Sequence, residues 1–346
     1  MKKIIFAILI LIAFIQPVFA EGFSIENVPK EAETYLAENP NGFWEDLCDV
    51  LLTALSDLRP DISEAVQTCL RIVCVVMLGS ILTSFATDRK ITIQLVMTVA
   101  IGILLIDSGD SLLQLGKNTV QKISEYGKLL LPILTGALAT QGAVTTSTAL
   151  YTGSMLFSTV LNATVSKLMI PLLYLFLCVC IANSALADET LKRIQSFLKW
   201  LMTWSLKTIL YLFTGYMSIS GVISGTVDST ALKATKLAIS GAVPVVGNIL
   251  SDASETILLS AGVVKNSVGA YGMLTILAFL VGPFFKIGIQ YVITKCAAAV
   301  CAVFAQKEIV GLLDDYSSVM GFVLAMTGIE SVLLMVGIVC MMKGVG

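Results

Sequence analysis

The sequence holds 346 residues, 56% hydrophobic and 13% charged, with 22 Lys/Arg against 24 Asp/Glu and no histidine; its mean hydropathy is +0.90. Soluble domains carry roughly 25% charged residues, so this composition excludes an ordinary water-soluble protein and describes a polytopic membrane protein. Without histidine there is no Ser-His-Asp or Cys-His catalysis and no imidazole-based zinc site, and a net charge of −2 supplies no basic field for nucleic acid.

Residues 1–20 have the form of a secretory signal peptide. Lys2-Lys3 precede an apolar run from Ile4 to Ile15, and Val18-Phe19-Ala20 is an A-x-A-like cleavage site after Pro17. The run is short for a span. Cleavage there would start the mature chain at Glu21, outside the cytoplasm. Residues 21–64 form an acidic extracytoplasmic segment with eleven Asp/Glu and two Lys/Arg. Within it Phe43, Trp44, Leu47, Val50, Leu51, Leu55 and Leu58 recur at helical spacing, which predicts an amphipathic helix between Pro40 and Pro60. Packing of that helix on the protein's own spans is the expected arrangement; the membrane surface and a partner are the alternatives.

Residues 65–346 are the helical transmembrane domain. A span needs about 20 residues to cross about 30 Å of hydrocarbon. Six segments meet or approach that length: 65–86, 91–106, 168–187, 200–224, 268–293 and 319–342. Two further regions, 129–164 and 237–264, are apolar yet rich in small and hydroxylated residues. Pro132 and Gly136 interrupt the first, Pro244 and Gly247 the second. Each returns the chain to its starting side; the second is expected as a re-entrant, broken-helix hairpin, and the first as such a hairpin or as two short crossings. Backbone groups freed by such breaks cannot face lipid and must be buried in protein or line a wet cavity. The predicted fold is thus all-α, with about six transmembrane helices and two such hairpins.

Parity from an external residue 64 places Thr87–Lys90 and Asp188–Lys199 inside. Counting basic residues does not favour this orientation, but the adjacent pairs Arg89-Lys90 and Lys192-Arg193 both fall inside. The order span, outer amphipathic stretch, Lys-Leu, proline-broken hairpin, span occurs twice, which suggests repeats at 91–187 and 200–295. Lys128-Leu129 with Pro132 and Lys236-Leu237 with Pro244 are the matched landmarks. Interrupted segments at matching places mark the pathway in transporters.

Charged residues inside spans are costly and often functional. Glu330 lies near the middle of 319–342, and Lys286 towards the inner end of 268–293. A Glu330–Lys286 pair, a hydrated path, or a protonated Glu330 bonded to a neighbour would each accommodate the carboxyl. Asp252 and Glu255, three residues apart, could share a face at the second hairpin and attract a cation or a partner's basic residue. Pro132, Gly136, Pro244, Gly247, Asp252, Glu255, Lys286 and Glu330 are therefore the candidate pathway and packing residues. Two inner surfaces offer docking: Ile194, Phe197, Leu198, Leu201 and Trp204 with Lys192, Arg193 and Lys199, which an interfacial anchor also explains, and the stretch from Cys296 to Leu313 with Lys307, Glu308, Asp314 and Asp315, which reads as a coupling helix along the bilayer or equally as a cap on the bundle.

Enzymatic signals are missing from the sequence. The eight cysteines form no C-x-x-C, no G-x-x-x-x-G-K-[ST] loop occurs, and Ser196–Lys199 matches S-x-x-K without its companion motifs. The expectation is a non-enzyme with no cofactor, no metal and no nucleic-acid partner. Any ATP-driven work must come from another subunit.

The run from Lys236 to Ala253, with Pro244-Val-Val-Gly247 and Leu250-Ser-Asp-Ala253, continuing through Thr256 to Gly269, resembles the stage III sporulation protein AE family. The signal peptide, acidic outer segment and multi-span remainder fit that resemblance. It implies a multi-pass protein of the mother-cell membrane facing the forespore, acting as a permease-like subunit of a channel or secretion-like complex needed for endospore formation. The implied partners are the other stage III sporulation proteins, among them a secretion-type ATPase and ring-forming subunits, and the stage II sporulation protein Q complex. A stand-alone secondary transporter with its substrate site at the hairpins, and a structural membrane scaffold, are the alternatives.

Overall fold

The computed structural model describes residues 48–53, 58–85, 90–242 and 247–343, with side chains omitted at 58–59, 90, 221–242, 247–265 and 343. Those residues are helical almost throughout, with no strand among them: α1 (Leu58–Phe85), α2 (Lys90–Thr140), α3 (Val144–Thr164), α4 (Ile170–Leu186), α5 (Glu189–Ala242), α6 (Gly247–Cys301) and α7 (Lys307–Lys343). The protein is an all-α polytopic membrane protein. Among the described residues, five helical stretches are long and apolar enough to cross a bilayer: Pro60–Phe85, Ile91–Thr140, Val144–Leu186, Asn266–Cys301 and Lys307–Met342.

Local chemistry explains where these rods break. Between α3 and α4 the residues Val165–Met169 form a π-helical turn directly before Pro171. Proline has no N–H and its ring crowds the carbonyl four residues back. The widened turn absorbs both defects, so 144–186 continues as one rod. The chain reverses at Gln141–Ala143, where Gln141 and Ala143 N–H both reach Leu138 O and Gly142 takes φ 88°. Only glycine occupies that region without strain. At the opposite end Ala187 takes φ 52°, its N–H bonds Asn183 O at 2.8 Å, and Asp188 Oδ1 caps the next helix through Thr190 N–H at 2.7 Å.

Close glycine contacts set the packing. Gly109 meets Tyr316, Gly116 meets Val323 and Gly127 meets Leu334, so α2 and α7 run parallel in constant register. A Cβ at Gly127 would stand 2.8 Å from Leu334 Cδ1. Ser158 facing Glu330 and Ser154 facing Gly337 make α3 antiparallel to α7. Phe157 against Phe213, ring centroids 5.6 Å apart, brings α5 onto the outer side of α3. Helix α6 lies antiparallel to α7 through Lys295–Asp314 and Gly269–Met342. In this way α7 becomes the central, most buried helix, packed by α2 to α6. The helical stretch 48–53 puts Val50, fully buried, against Ala278 and Val281 of α6.

The hairpins are longer than the sequence suggested. Helix α2 runs unbroken through Pro132 to Thr140, a length of about 76 Å. The expected break at Pro132 and Gly136 is absent; the reversal comes at 141–143. Both residues lie on the exposed face of α2, where one missing N–H costs little against the buried row Leu130, Leu131, Leu134 and Leu138. The expected span 91–106 and the hairpin arm are one rod, because 107–128 is an amphipathic helix and not a loop. The second hairpin follows suit: 237–242 ends α5 and 247–264 begins α6, while Pro244 lies outside the described residues. The expected span 200–224 sits within α5, whose side chains beyond 220 also fall outside them. The Cys296–Leu313 stretch is no coupling helix along the bilayer. It is the end of α6, a tight turn in which Ala305 N–H reaches Cys301 O at 2.7 Å, and the start of α7.

Candidate functional site

Among the described residues, two polar places on α7 gather side chains from several helices. The deeper is Glu330, with 0% of its surface exposed. Ser158 Oγ of α3 donates to its Oε1 at 2.5 Å, and Ser158 lies 2.9 Å from Ser124 Oγ of α2. Glu330 Oε2 has no hydrogen-bond partner among the described residues. Ser331 and Thr327 turn their hydroxyls back to carbonyls of α7 itself. The carboxyl therefore ties three helices together through hydroxyls alone, an arrangement that accommodates a neutral carboxyl.

Of the three arrangements open to Glu330, the pair with Lys286 does not form. Lys286 Nζ stands 2.7 Å from Asp61 Oδ1 and 3.7 Å from Glu64 Oε2 at the start of α1. Glu330 is buried against α3, whereas Lys286 meets the start of α1. Lys286 is 36% exposed and Glu64 72%, so this cluster pins α1 to α6 at a hydrated surface and is worth little in isolation.

The second place is an open polar cleft of about 520 Å³ between the end of α4, the start of α5 and the start of α7. A relay crosses it: Asn183 Nδ2 donates to Gln195 Oε1 at 3.4 Å, and Gln195 Nε2 donates to Asp315 Oδ2 at 3.4 Å. Lys199 Nζ donates to Ser318 Oγ at 3.1 Å, and Ser184 Oγ to Glu308 O at 3.0 Å. Lys192 and Lys307 complete the lining with Asp188 and Glu189. With both signs of charge present, the cleft suits a polar partner segment or a hydrated cargo and has no single-charge preference.

Sequence reading had Lys192, Arg193 and Lys199 on one inner surface and Lys307, Glu308, Asp314 and Asp315 on another. Folding brings Lys192 and Lys199 together with Lys307, Glu308 and Asp315 in one cleft, while Asp314 pairs with Lys295 of α6. Asn183 and Gln195 were missed, as were Ser124 and Ser158. The hydroxyls at Ser147, Ser154 and Ser158, at helical spacing on the buried face of α3, were the available signal for the core pair. Gly247, Asp252 and Glu255 lie in the first turns of α6, where side chains are not described. Among the described residues no group of three His, Cys, Asp or Glu could hold a metal.

Comparison with known proteins follows the same direction. The family model described as stage III sporulation protein AE matches residues 36–344. The stage III sporulation protein AE of Bacillus subtilis (strain 168) is 22% identical over 248 residues, which are 72% of this chain and 62% of the relative. The chain thus matches about six tenths of the length of that relative. No solved structure matches.

Proposed function

The chain belongs to the stage III sporulation protein AE family, and on that premise we propose that it is the polytopic membrane subunit of a channel or secretion-like complex joining mother cell and forespore. It is a sporulation membrane protein by family and by its apolar helices. In the proposed role it is non-catalytic, sits in the mother-cell membrane facing the forespore with its mature N-terminus outside, and works permease-like beside a secretion-type ATPase, ring-forming stage III subunits and the stage II sporulation protein Q complex. The sequence contains no phosphate-binding loop, which supports an energy source on another subunit.

The observation that carries the reading is the cleft where α4, α5 and α7 meet. By the parity of the spans this end faces the mother-cell cytoplasm, the side on which an ATPase would dock. Lys192 and Lys307 at its rim are reachable without entering the core. Charge reversal there, Lys192→Glu with Lys307→Glu, should leave membrane accumulation unchanged while lowering heat-resistant spore counts and co-purification of partner subunits. Normal sporulation in a strain lacking the gene, or solute flux by the purified protein alone, would overturn the subunit role. Normal spores from the double reversal would remove the cleft from it.

A further inference from the structure

The exposed surface of the bundle changes character along its length. On α2 the exposed residues between 91 and 106 are apolar but for Thr92, whereas every exposed residue between 107 and 128 is polar, from Asp107 to Lys128. The other outer helices change in the same sense. The π-helical turn and α4 expose Leu168, Leu175 and Leu186 between Lys167 and Asp188, and α5 exposes Phe197, Trp200 and Trp204 between Arg193 and Lys207. Helix α1 exposes Leu78, Ile81, Leu82 and Phe85 towards the cleft end, where Ser80 bonds Phe304 O, and carries Asp61 and Glu64 at the other.

The outer charges close into a ring around the bundle. Asp61 and Glu64 hold Lys286 of α6 and share a pocket with Ser108 and Ser111 of α2. Tyr174 of α4 donates to Asp110. Lys167 and Lys207 each lie two residues from the Met169–Ser205 contact, which ties the π-helical turn to α5. From the cleft end to this ring the rods rise about 32 Å on α1 (Phe85 to Glu64), about 24 Å on α2 (Ile91 to Asp107), about 27 Å on α5 (Glu189 to Lys207) and about 22 Å on α6 (Cys301 to Lys286). Hydrocarbon is about 30 Å thick, and tilt and local thinning spread such lengths around that value. Charges between ring and cleft are provided for: Lys295 meets Asp314 at 2.6 Å, Lys199 bonds Ser318, and Arg71 has a stem long enough to reach headgroups.

We infer that the bilayer surrounds only the half of the bundle nearest the cleft, and that the other half, with Glu330 and the Gly142 turn, stands in water beyond it. The lipid-facing surface is then the apolar zone between the cleft and the ring, with Trp200 and Trp204 inside it. Beyond the ring the α3 and α5 surfaces mix Leu156, Val160 and Leu212 with Thr159, Thr214 and Ser218, a pattern of water-exposed helices, and α2 adds its wholly polar face. Charge is costly in hydrocarbon, so Lys167, Lys207 and Lys128 hold the lipid below them. From Asp107 to Thr140 helix α2 rises about 50 Å past the ring, so the arms expected as re-entrant hairpins become a projecting helical stalk. In the proposed orientation this stalk faces the forespore. The inference rests on the membrane reading and deepens the channel proposal by giving partners outside the cytoplasm a rigid surface.

The test is contact with lipid in full-length protein held in nanodiscs, where both membrane faces meet solvent. The sequence has three tryptophans, so Trp44→Phe leaves Trp200 and Trp204 as the emitters. Their fluorescence should fall in dibrominated lipid relative to plain lipid, because bromine quenches only at contact. Leu156→Trp, with all three native tryptophans replaced by phenylalanine, should emit equally in the two lipids. Quenching at Leu156→Trp would overturn the inference while leaving the membrane reading intact. Quenching at neither place would overturn both. Should the multiple variant fail to accumulate, the unsubstituted protein supplies a second reading. Lys128, Lys167 and Lys207 should be acylated by a membrane-impermeant sulfosuccinimidyl ester as fully as Lys192 at the cleft rim, read by mass spectrometry. Protection of Lys128 and Lys167 beside a modified Lys192 would overturn the placement.

Discussion

Glu330 and Asp315 lie fifteen residues apart on α7, about 22 Å along one helix, yet their surroundings are opposite. Glu330 is sealed among hydroxyls with one oxygen unbonded among the described residues. Asp315 is partly buried at the back of an open cleft, where Gln195 donates to it and Lys199 and Ser318 line the same wall. The difference lies in what packs on α7 at each height. Around Glu330 the small residues Gly127, Ser124, Ser158 and Gly337 let three helices close without a gap. Around Asp315 the end of α4 and the start of α5 leave an open cleft of about 520 Å³. A carboxyl in the first setting holds helices together; a carboxyl in the second is available to a partner.

The sharpest way to break this contrast is Glu330→Ala. It leaves the Ser158 hydroxyl without its acceptor and opens a cavity, with an expected loss of about 2–4 kcal/mol; reduced membrane accumulation and a lower Tm in detergent would show it. Wild-type values for both would remove Glu330 from the structural core. Gly116→Leu comes next. The added side chain collides with Val323, which is β-branched and stiff, so about 1–3 kcal/mol should be lost. An unchanged melting profile would mean that α2 and α7 are not in close contact there.

Asp315→Asn should act in the reverse sense. The residue keeps its shape and an acceptor for Gln195, so Tm should move by less than about 1 kcal/mol equivalent, while sporulation falls if the cleft docks a partner. Lys286→Met removes a surface ion pair with Asp61 and should cost at most about 1 kcal/mol; a large drop in accumulation would show that the α1–α6 junction is more buried than its exposure indicates. Glu330→Gln is expected to have the smallest effect. An amide oxygen still accepts from Ser158, and near-normal Tm and spore counts are the outcome that agrees with a neutral carboxyl. Loss of sporulation with normal Tm would instead point to a carboxyl that must change its proton.

Much of the fold was legible in the residues. Apolar runs of span length pointed to the helices, and the Asp188–Lys199 stretch stood out as a connection between spans, whereas the reversal at Gly142 was not marked. Hairpins at 129–164 and 237–264 were legible as places where the chain returns, but not their arms. Residues 107–128 read as an amphipathic stretch outside the membrane, because a sequence does not say that two segments on either side belong to one helix. The proline at 132 misled for a related reason: its cost is local, and buried leucines on the facing side outweigh it. The candidate site was less legible. Glu330 stood out as a lone charge in an apolar run, whereas its Ser158 partner is 172 positions away in the chain, beyond any periodicity.

Composition and periodicity alone determined that this chain is helical, membrane-embedded and without nucleotide or metal motifs, since burying backbone in hydrocarbon leaves helices as the available solution. Tertiary structure alone decided which charges meet. Lys286 went to Asp61 and not to Glu330, and the basic start of α5 went to the acidic start of α7. Such pairings depend on the height and rotation of each rod, and those are set by where glycines let helix surfaces touch, a property of two helices together that neither segment carries by itself.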